Sequence, residues 1–78
     1  MKDFLYPWTR QITLKQLRGL TAIAATGSIS AAARQLHLTA PAVSLQLREL
    51  EKATNIPLFE RCEHGLKPTS GGKALLNL

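Results

Sequence analysis

Apolar residues recur along this chain at the three- and four-residue intervals of amphipathic helices. The first such segment predicts a helix over about 14–26, with charged residues on the face opposite its apolar stripe. Thr13 precedes the segment as a candidate N-cap, and Gly27 follows it as a residue that can end a helix in the left-handed conformation. The predicted core stripe consists of Leu14, Leu17, Leu20, Ile23 and Ala24.

A second, shorter helix is predicted directly after the first. It spans about 31–37, with Ser30 as its candidate N-cap, and the run Ala31-Ala32-Ala33 combines high helix propensity with little bulk. Small side chains let two helices approach closely, so we expect this helix to lie against a neighbour. The turn that follows is predicted at His37-Leu38.

The third predicted helix spans about 40–53 and presents two different faces. Thr39 is its candidate N-cap, and Pro41 suits its first turn, where the missing N–H is no loss. Its core face carries Val43, Leu47 and Leu50 at helical spacing. The opposite face carries Pro41, Ser44, Leu45 and Arg48. Leu45 breaks the amphipathic pattern, because an apolar side chain stands where water is expected, and this suggests a contact surface.

A β-hairpin, here called the wing, is predicted after the third helix. Its strands are predicted over 58–61 and 66–69, with a turn at 62–65. Thr69 is the candidate N-cap of a last helix over about 70–78, whose apolar positions continue to the end of the sequence. We therefore expect the chain to be a fragment of a longer protein.

The charge of the chain is positive and is concentrated in its first half. The 78 residues carry ten Lys and Arg against five Asp and Glu, which gives a formal net charge of +5. A polyanionic partner and an ordinary solvated basic surface explain this balance about equally well. The length limits the chain to one domain, and the hydrophobic fraction of 45 % allows a compact core.

The single cysteine and the apolar runs bear on the cellular compartment. Cys62 has no partner for an internal disulfide and fits a reducing environment. No apolar run approaches the ~20 residues of a membrane span, and the first residues lack the apolar stretch of a signal peptide. We expect a cytoplasmic protein without a membrane partner.

Two helices joined by a tight turn and followed by a wing are typical of a helix-turn-helix that places its longer helix in the major groove of DNA. Ser44 can read donors or acceptors on base edges, and Arg48 can bind a phosphate or a guanine. Ala40 and Leu45 can meet thymine methyl groups. The alternative use of the same fold is a module that binds only other proteins.

Residues outside the third helix complete the expected DNA-contacting set. Arg61 on the wing either contacts a phosphate or pairs with Glu60 or Glu63. Ser30 and Thr69 are expected to be helix caps whose neighbouring N–H groups also point at phosphates. The full set is Ser30, Thr39, Ala40, Pro41, Ser44, Leu45, Arg48, Arg61, His64 and Thr69.

Metal binding and catalysis are both disfavoured by the sequence. Cys62, His37 and His64 match no zinc-ligand spacing. Ser44 has no acid–base partner in the sequence that would make it a nucleophile. We therefore expect neither a cofactor nor an enzymatic activity.

Several motifs, in their order and spacing, resemble the N-terminal domain of LysR-type transcriptional regulators of bacteria. The resemblance covers about residues 12–78 and rests on Gly-Ser, Ala-Ala-Arg, Pro-Ala-Val-Ser, Leu-Phe-Glu-Arg and Thr-x-x-Gly. It implies a mainly α winged helix-turn-helix with a three-helix core, a two-stranded wing and the start of a linker helix. The implied divisions are an N-terminal arm at 1–12, a DNA-binding domain at 13–69 and the linker start at 70–78.

The resemblance also implies partners. Double-stranded DNA would receive the recognition helix, about 40–53, in its major groove and the wing, about 58–69, on its backbone or minor groove. The parent protein is implied to be a homodimer or homotetramer joined through the linker helix, with a small-molecule effector bound by a domain outside this chain. The segment TAPAVSLQLRELE also resembles members that regulate carbon-dioxide-fixation operons.

Some positions depart from the family pattern. Family members often carry Gln at the position of Ala40 and Arg or a similar residue at that of Leu45, so we expect little hydrogen-bonded base readout. Glu63-His64 stands at a wing tip that is often basic, which weakens the case for insertion into the minor groove. Gly19 stands where a bulky aromatic is common. We expect the arm to dock on the first helix there, through Phe4, Tyr6 and Trp8.

Overall fold

The computed structural model describes residues 12–77, which form four helices and a two-stranded antiparallel sheet. In chain order the elements are α1 (Leu14–Thr26), α2 (Ile29–Leu36), α3 (Ala40–Thr54), β1 (Phe59–Cys62), β2 (Gly65–Pro68) and α4 (Ser70–Leu76). The mainly α winged helix-turn-helix predicted from the sequence is confirmed. The aromatic residues of the N-terminal arm, and their expected docking, lie outside the described residues.

Helix α1 has the predicted limits but a rotated core face. Thr13 caps it through a capping box, in which the Thr13 hydroxyl and the Gln16 side chain each accept the other's backbone N–H at 3.1 Å. Gly27 ends it at φ 74°. The predicted core position of Leu14 is wrong, because its side chain is 66 % exposed whereas Gln16 is buried. The capping box and a bond to Glu49 satisfy Gln16, so a polar side chain is tolerated there.

Helix α2 begins two residues earlier than predicted, and its N-cap is Ser28 rather than Ser30. The Ser28 hydroxyl accepts the N–H of Ala31 at 3.1 Å. The physical reason is the apolar stripe of the helix, which starts at Ile29 and packs into the core only if that residue is helical. The predicted close packing of the small residues is confirmed, since Ala32 and Ala33 are buried.

The turn between α2 and α3 has the hydrogen bonds of a Schellman motif. His37 adopts the left-handed conformation at φ 59°, and its N–H donates to the Arg34 carbonyl at 3.2 Å. The Leu38 N–H donates to the Ala33 carbonyl at 2.8 Å. The predicted turn is therefore confirmed, although the helix ends at Leu36, one residue before its predicted limit.

Helix α3 follows its prediction closely. The Thr39 hydroxyl accepts the N–H of Ala42 at 3.2 Å, and Pro41 lies in the first turn. The helix ends at Thr54, one residue later than predicted, and Asn55 closes it in the left-handed conformation at φ 57°. Its core face is the predicted one, with Val43 and Leu50 buried and Leu47 half-buried.

Two clusters of buried side chains hold α3 in place. The first lies among the first three helices and contains Ala22, Ile23, Ala32, Ala33 and Val43. The second joins α1 and α3 to the residue before the wing and to α4, and contains Leu20, Leu50, Leu58 and Leu75. Leu47 and Phe59 pack against both clusters. Because both clusters contain side chains from the same face of α3, they also determine which face of α3 points away from the core.

Each strand of the wing is shifted by one residue from its predicted limits of 58–61 and 66–69. The register pairs Phe59 with Pro68, Glu60 with Lys67, Arg61 with Leu66 and Cys62 with Gly65. Leu58 lies just before the first strand, and its side chain is buried in the second cluster. Its carbonyl accepts the Thr69 N–H at 3.0 Å in the same register, and the pairing goes no further because Thr69 is the N-cap that turns the chain into α4. Because Cys62 and Gly65 are paired, the turn is reduced to Glu63-His64.

Helix α4 starts directly beneath the loop that joins α3 to the wing. Thr69 caps it, as predicted, by accepting the Gly72 N–H at 3.1 Å. Gly72 lies so close to the Leu58 carbonyl that a Cβ at this position would collide with it. The predicted range of 70–78 is too long, because Asn77 is already the C-cap.

Candidate nucleic-acid interface

The outward face of the first half of α3 carries four of the predicted site residues. Pro41, Leu45 and Arg48 are exposed, and Ser44 is half-buried. At helical spacing these positions lie above one another on the side opposite the core stripe. The structure therefore brings them together, and their contact with DNA stays a prediction.

The two residues at the start of α3 are already engaged in the fold. Thr39 is exposed, but its hydroxyl oxygen accepts the N–H of Ala42. Ala40 is half-buried and packs against the first core cluster. Less of its methyl group is thus available to a base edge than the sequence suggested.

A groove runs between the N-terminus of α2 and the wing. Its walls are Gly27, Ser28, Ile29, Ser30, Arg61, Gly65 and Leu66. Because Ser28 caps the N–H of Ala31, the N–H groups of Ile29 and Ser30 are the ones left without a backbone acceptor in this part of the described chain. Free N–H groups at a helix N-terminus and an exposed Arg61 beside them form a suitable setting for a phosphate.

The wing is held beside that groove by contact with the turn between α1 and α2. The Leu66 N–H donates to the Gly27 carbonyl at 2.9 Å. Gly65 has a φ of 122°, and a Cβ added to it would lie 2.5 Å from the same carbonyl oxygen. This close backbone approach fixes the distance between Arg61 and the start of α2.

Of the two interpretations of Arg61, the strand register argues against a pair with Glu60, while the phosphate contact and a pair with Glu63 stay predictions. Neighbouring strand residues point to opposite faces, so Glu60 points away from Arg61 and faces Lys67 across the hairpin. Arg61 instead lines the groove. Glu63 and His64 form the exposed turn at the tip of the wing.

Thr69 has a structural role that accounts for its hydroxyl group. The hydroxyl donates to the Pro57 carbonyl and accepts the Gly72 N–H. The hydroxyl proton, which would be the donor to a phosphate oxygen, is therefore already used in the bond to Pro57. The predicted capping role is confirmed, and a contact of the neighbouring N–H groups with a phosphate stays a prediction.

Sequence reasoning missed the polar residues that orient α3. The Gln16 amide donates to the Glu49 carboxylate at 3.4 Å and links α1 to α3. The Glu51 carboxylate accepts the Leu58 N–H at 2.8 Å and links α3 to the start of the wing. No periodicity reveals such bonds, because each joins distant or irregular segments. Ser28, in contrast, could have been found from the apolar stripe that begins one residue after it.

Exposed positive charge is spread over the described surface. All eight Lys and Arg residues between 12 and 77 are exposed: Lys15, Arg18, Arg34, Arg48, Lys52, Arg61, Lys67 and Lys73. Among the acids, Glu51 is half-buried and bonded to the backbone, whereas Glu49, Glu60 and Glu63 are exposed. The cations are thus free to meet a polyanion from solvent.

The part of the chain that the structure describes contains no group of three or more His, Cys, Asp and Glu residues that could hold a metal ion. Cys62 is a free thiol. In the same residues, no helix has both the length and the apolar character needed to cross a bilayer.

The outer face of the recognition helix α3 points away from the core. The second helix, α2, presents its N-terminus beside the wing, and the surface carries exposed cations. Together these features define a winged helix-turn-helix DNA-binding domain. The model of the bacterial regulatory helix-turn-helix proteins of the lysR family matches residues 14–73. The chain belongs to that family.

Relatives of the chain are transcriptional regulators, not enzymes. The HTH-type transcriptional regulator CbbR of Sinorhizobium medicae is 43 % identical over 67 residues, which are 86 % of this chain and 21 % of that protein. The probable RuBisCO transcriptional regulator of Guillardia theta is 50 % identical over 64 residues, 82 % of this chain and 21 % of that protein. The chain thus spans about a fifth of the length of these curated relatives.

Solved structures of the same family share the fold. The DNA-binding domain of CbnR, crystallised with DNA, matches 83 % of this chain and 75 % of its own, with a TM-score of 0.78 and 34 % identity. The DNA-binding domain of BenM, in complex with benA site 1 DNA, matches 83 % of this chain and 73 % of its own, with a TM-score of 0.78 and 31 % identity.

Proposed function

We propose that this chain binds one half-site of double-stranded DNA as the DNA-binding domain of a bacterial LysR-type transcriptional regulator. Helix α3 enters the major groove with Pro41, Ser44 and Leu45 toward the bases. Arg48, further along the same face, reaches a phosphate or a guanine. The N-terminus of α2 and Arg61 of the wing bind the neighbouring sugar–phosphate backbone.

The observation that carries this proposal is the outward face of α3. It is fixed by two core clusters on the opposite side of the helix, and none of its four outward residues is needed to fill the core. Its side chains are short near the N-terminus and end in an arginine one turn later. This is the shape that a helix needs in order to enter a groove about 12 Å wide.

The wing is proposed to lie on the backbone rather than deep in the minor groove. Arg61 points into the groove shared with α2, where a phosphate can meet both the guanidinium and the helix N–H groups. At the tip, Glu63 is repelled by phosphates and leaves His64 as the residue nearest to the DNA. Thr39 and Ala40 contribute backbone contacts at the start of α3.

The resemblance to longer regulators supports a proposal about the parent protein. We place this chain in a homodimer or homotetramer joined through the continuation of α4, with a small-molecule effector bound by a separate domain. The similarity to CbbR and to RuBisCO regulators supports control of genes for carbon-dioxide fixation. Such a regulator acts on the chromosome and therefore in the cytoplasm.

A salt titration of DNA binding tests the proposal. The observed affinity of the 78-residue chain for duplex DNA should fall linearly on a log–log plot, with a slope of about −0.9 for each phosphate neutralised. The Arg61→Ala variant should have a slope that is shallower by about 0.9. Arg18→Ala, which removes an exposed arginine from α1, is the matched control and should keep the full slope.

Two results would contradict the proposal. Absence of salt-dependent binding would favour the alternative of a protein-interaction module. Equal effects of the Arg61 and Arg18 substitutions would show that charge acts only through the overall field of the domain, and not through a contact made by the wing.

A further inference from the structure

Exposed apolar side chains are concentrated at the start of the recognition helix. Four large apolar residues are exposed in the described chain: Leu14, Leu38, Leu45 and Ile56. Two of them flank the first turn of α3, with Leu38 38 % and Leu45 47 % exposed, and the exposed Pro41 stands between them in sequence. Single exposed leucines are ordinary on protein surfaces, but Pro41 and Leu45 stand four residues apart in α3 and therefore lie on the same face of the helix, with Leu38 in the turn before it.

The same part of α3 offers few hydrogen-bonding groups to a base. The Thr39 hydroxyl oxygen already accepts a backbone N–H and has its single proton left to donate, and Ala40 and Pro41 have no polar side-chain atoms. Ser44 is half-buried, and Arg48 lies a full turn beyond it. Over its first two turns the reading surface is therefore mainly apolar.

One group in the major groove matches an apolar surface best. The C5-methyl group of thymine is the largest apolar group that projects into the groove, where the other prominent base features are hydrogen-bond donors and acceptors. A polar base edge placed against Leu45 would lose bound water without gaining a partner, which is unfavourable. A thymine methyl placed there instead removes apolar area from water on both sides.

We infer that Leu45, together with Pro41, forms an apolar reading surface for thymine methyl groups. The sequence preference of this domain then depends on where methyl groups stand in the groove more than on hydrogen bonds to bases. This inference rests on the proposed function, since it assumes that α3 lies in the major groove.

Replacement of thymine by uracil tests the inference directly. The 78-residue chain is first used to select binding sites from random duplex DNA. Each thymine of the selected site is then replaced by deoxyuridine, which removes the methyl group and leaves base pairing intact. At one or more thymines the affinity should fall about fourfold per methyl, which corresponds to about 0.8 kcal/mol.

Two leucine variants assign the effect to the reading surface. In Leu45→Ala the uracil penalty should disappear at one particular thymine, while the other thymines keep theirs. Leu14→Ala is the matched control, because it makes the same change at an exposed leucine on α1. It should retain the whole pattern of uracil penalties.

The outcomes separate the two levels of the proposal. If the chain binds DNA with the expected salt dependence but uracil changes nothing, or Leu45→Ala retains every penalty, methyl reading by this surface is wrong and the proposed function stands. If the chain shows no salt-dependent binding to any duplex, the proposed function fails and the inference fails with it.

Discussion

A single methyl group at position 65 is expected to detach the wing from the helical core. In Gly65→Ala the new Cβ would lie 2.5 Å from the Gly27 carbonyl oxygen, whereas ordinary contacts begin near 3.4 Å. Relief of this collision requires the hairpin to move away, and that movement stretches the 2.9 Å bond from Leu66 to Gly27. The substitution therefore acts on the contact that positions the wing.

The magnitude follows from two separate costs. A non-glycine residue in a left-handed conformation costs about 1–2 kcal/mol, and Gly65, at φ 122°, lies beyond the most favourable part of that region. Loss of the backbone hydrogen bond adds about 1 kcal/mol. We expect the free energy of unfolding to fall by about 2–4 kcal/mol, with a decrease in Tm of roughly 10–25 °C.

Gly27→Ala provides a matched comparison within the same contact. Gly27 also has a positive φ, 74°, but a Cβ there would be 3.5 Å from its nearest neighbour, which is an ordinary distance. The free energy of unfolding of this variant should fall only by the conformational cost of a non-glycine residue, about 1–2 kcal/mol. Its wing should stay in place, so its DNA affinity should stay near that of the wild type.

Chemical denaturation gives the two free energies, and amide hydrogen exchange at Leu66 reports the wing contact itself. Gly65→Ala should unfold more easily than Gly27→Ala and should lose protection at Leu66 in the folded state. Equal stabilities, together with an unchanged Leu66 amide, would refute the reasoning, because they would mean that the close backbone approach places no constraint on the hairpin.

Four further substitutions test the interface and the N-cap of α2. Arg48→Ala should weaken DNA binding by about 1–3 kcal/mol, either uniformly or at one guanine, and unchanged affinity in a gel-shift series would place the contact on another face. Leu45→Arg should raise general affinity and shift the selected motif toward guanine, so an identical motif from random-sequence selection would mean that this position does not face the bases. Ser28→Ala should lower stability by about 1 kcal/mol and Ser30→Ala by less than about 0.5 kcal/mol in thermal denaturation, and the reverse order would contradict the assigned N-cap.

The sequence predicted the helices best where a cap and an apolar period agree. As predicted, α1 begins after its N-cap Thr13 and ends at Gly27, and α3 begins after its N-cap Thr39 with Pro41 in its first turn. The start of α2 was misplaced because two serines compete for the cap, and only the packing of Ile29 decides between them. The helix propensity of a local segment contains no information about its contacts with other helices.

The part of the interface outside α3 depends on long-range contacts that no local pattern contains. The groove of Ser30 and Arg61 exists because the wing returns to Gly27, far away in sequence. The burial of Gln16, where the apolar pattern favours Leu14, is accompanied by its bond to Glu49 on α3. In both cases the contact joins segments that lie far apart in the sequence, and the pattern within each segment does not reveal it.

The junction beneath the wing has a consequence for the geometry of the operator. Thr69 and Gly72 bind the first turn of α4 to the Leu58 backbone, and Gly71 packs against Ile56. The first turn of α4 is therefore closely packed against the start of the wing. In the proposed dimer, built through the continuation of α4, the direction of this helix would set the angular phase between the two half-sites along the double helix. A change in that direction would reach the recognition helix as a change in phase.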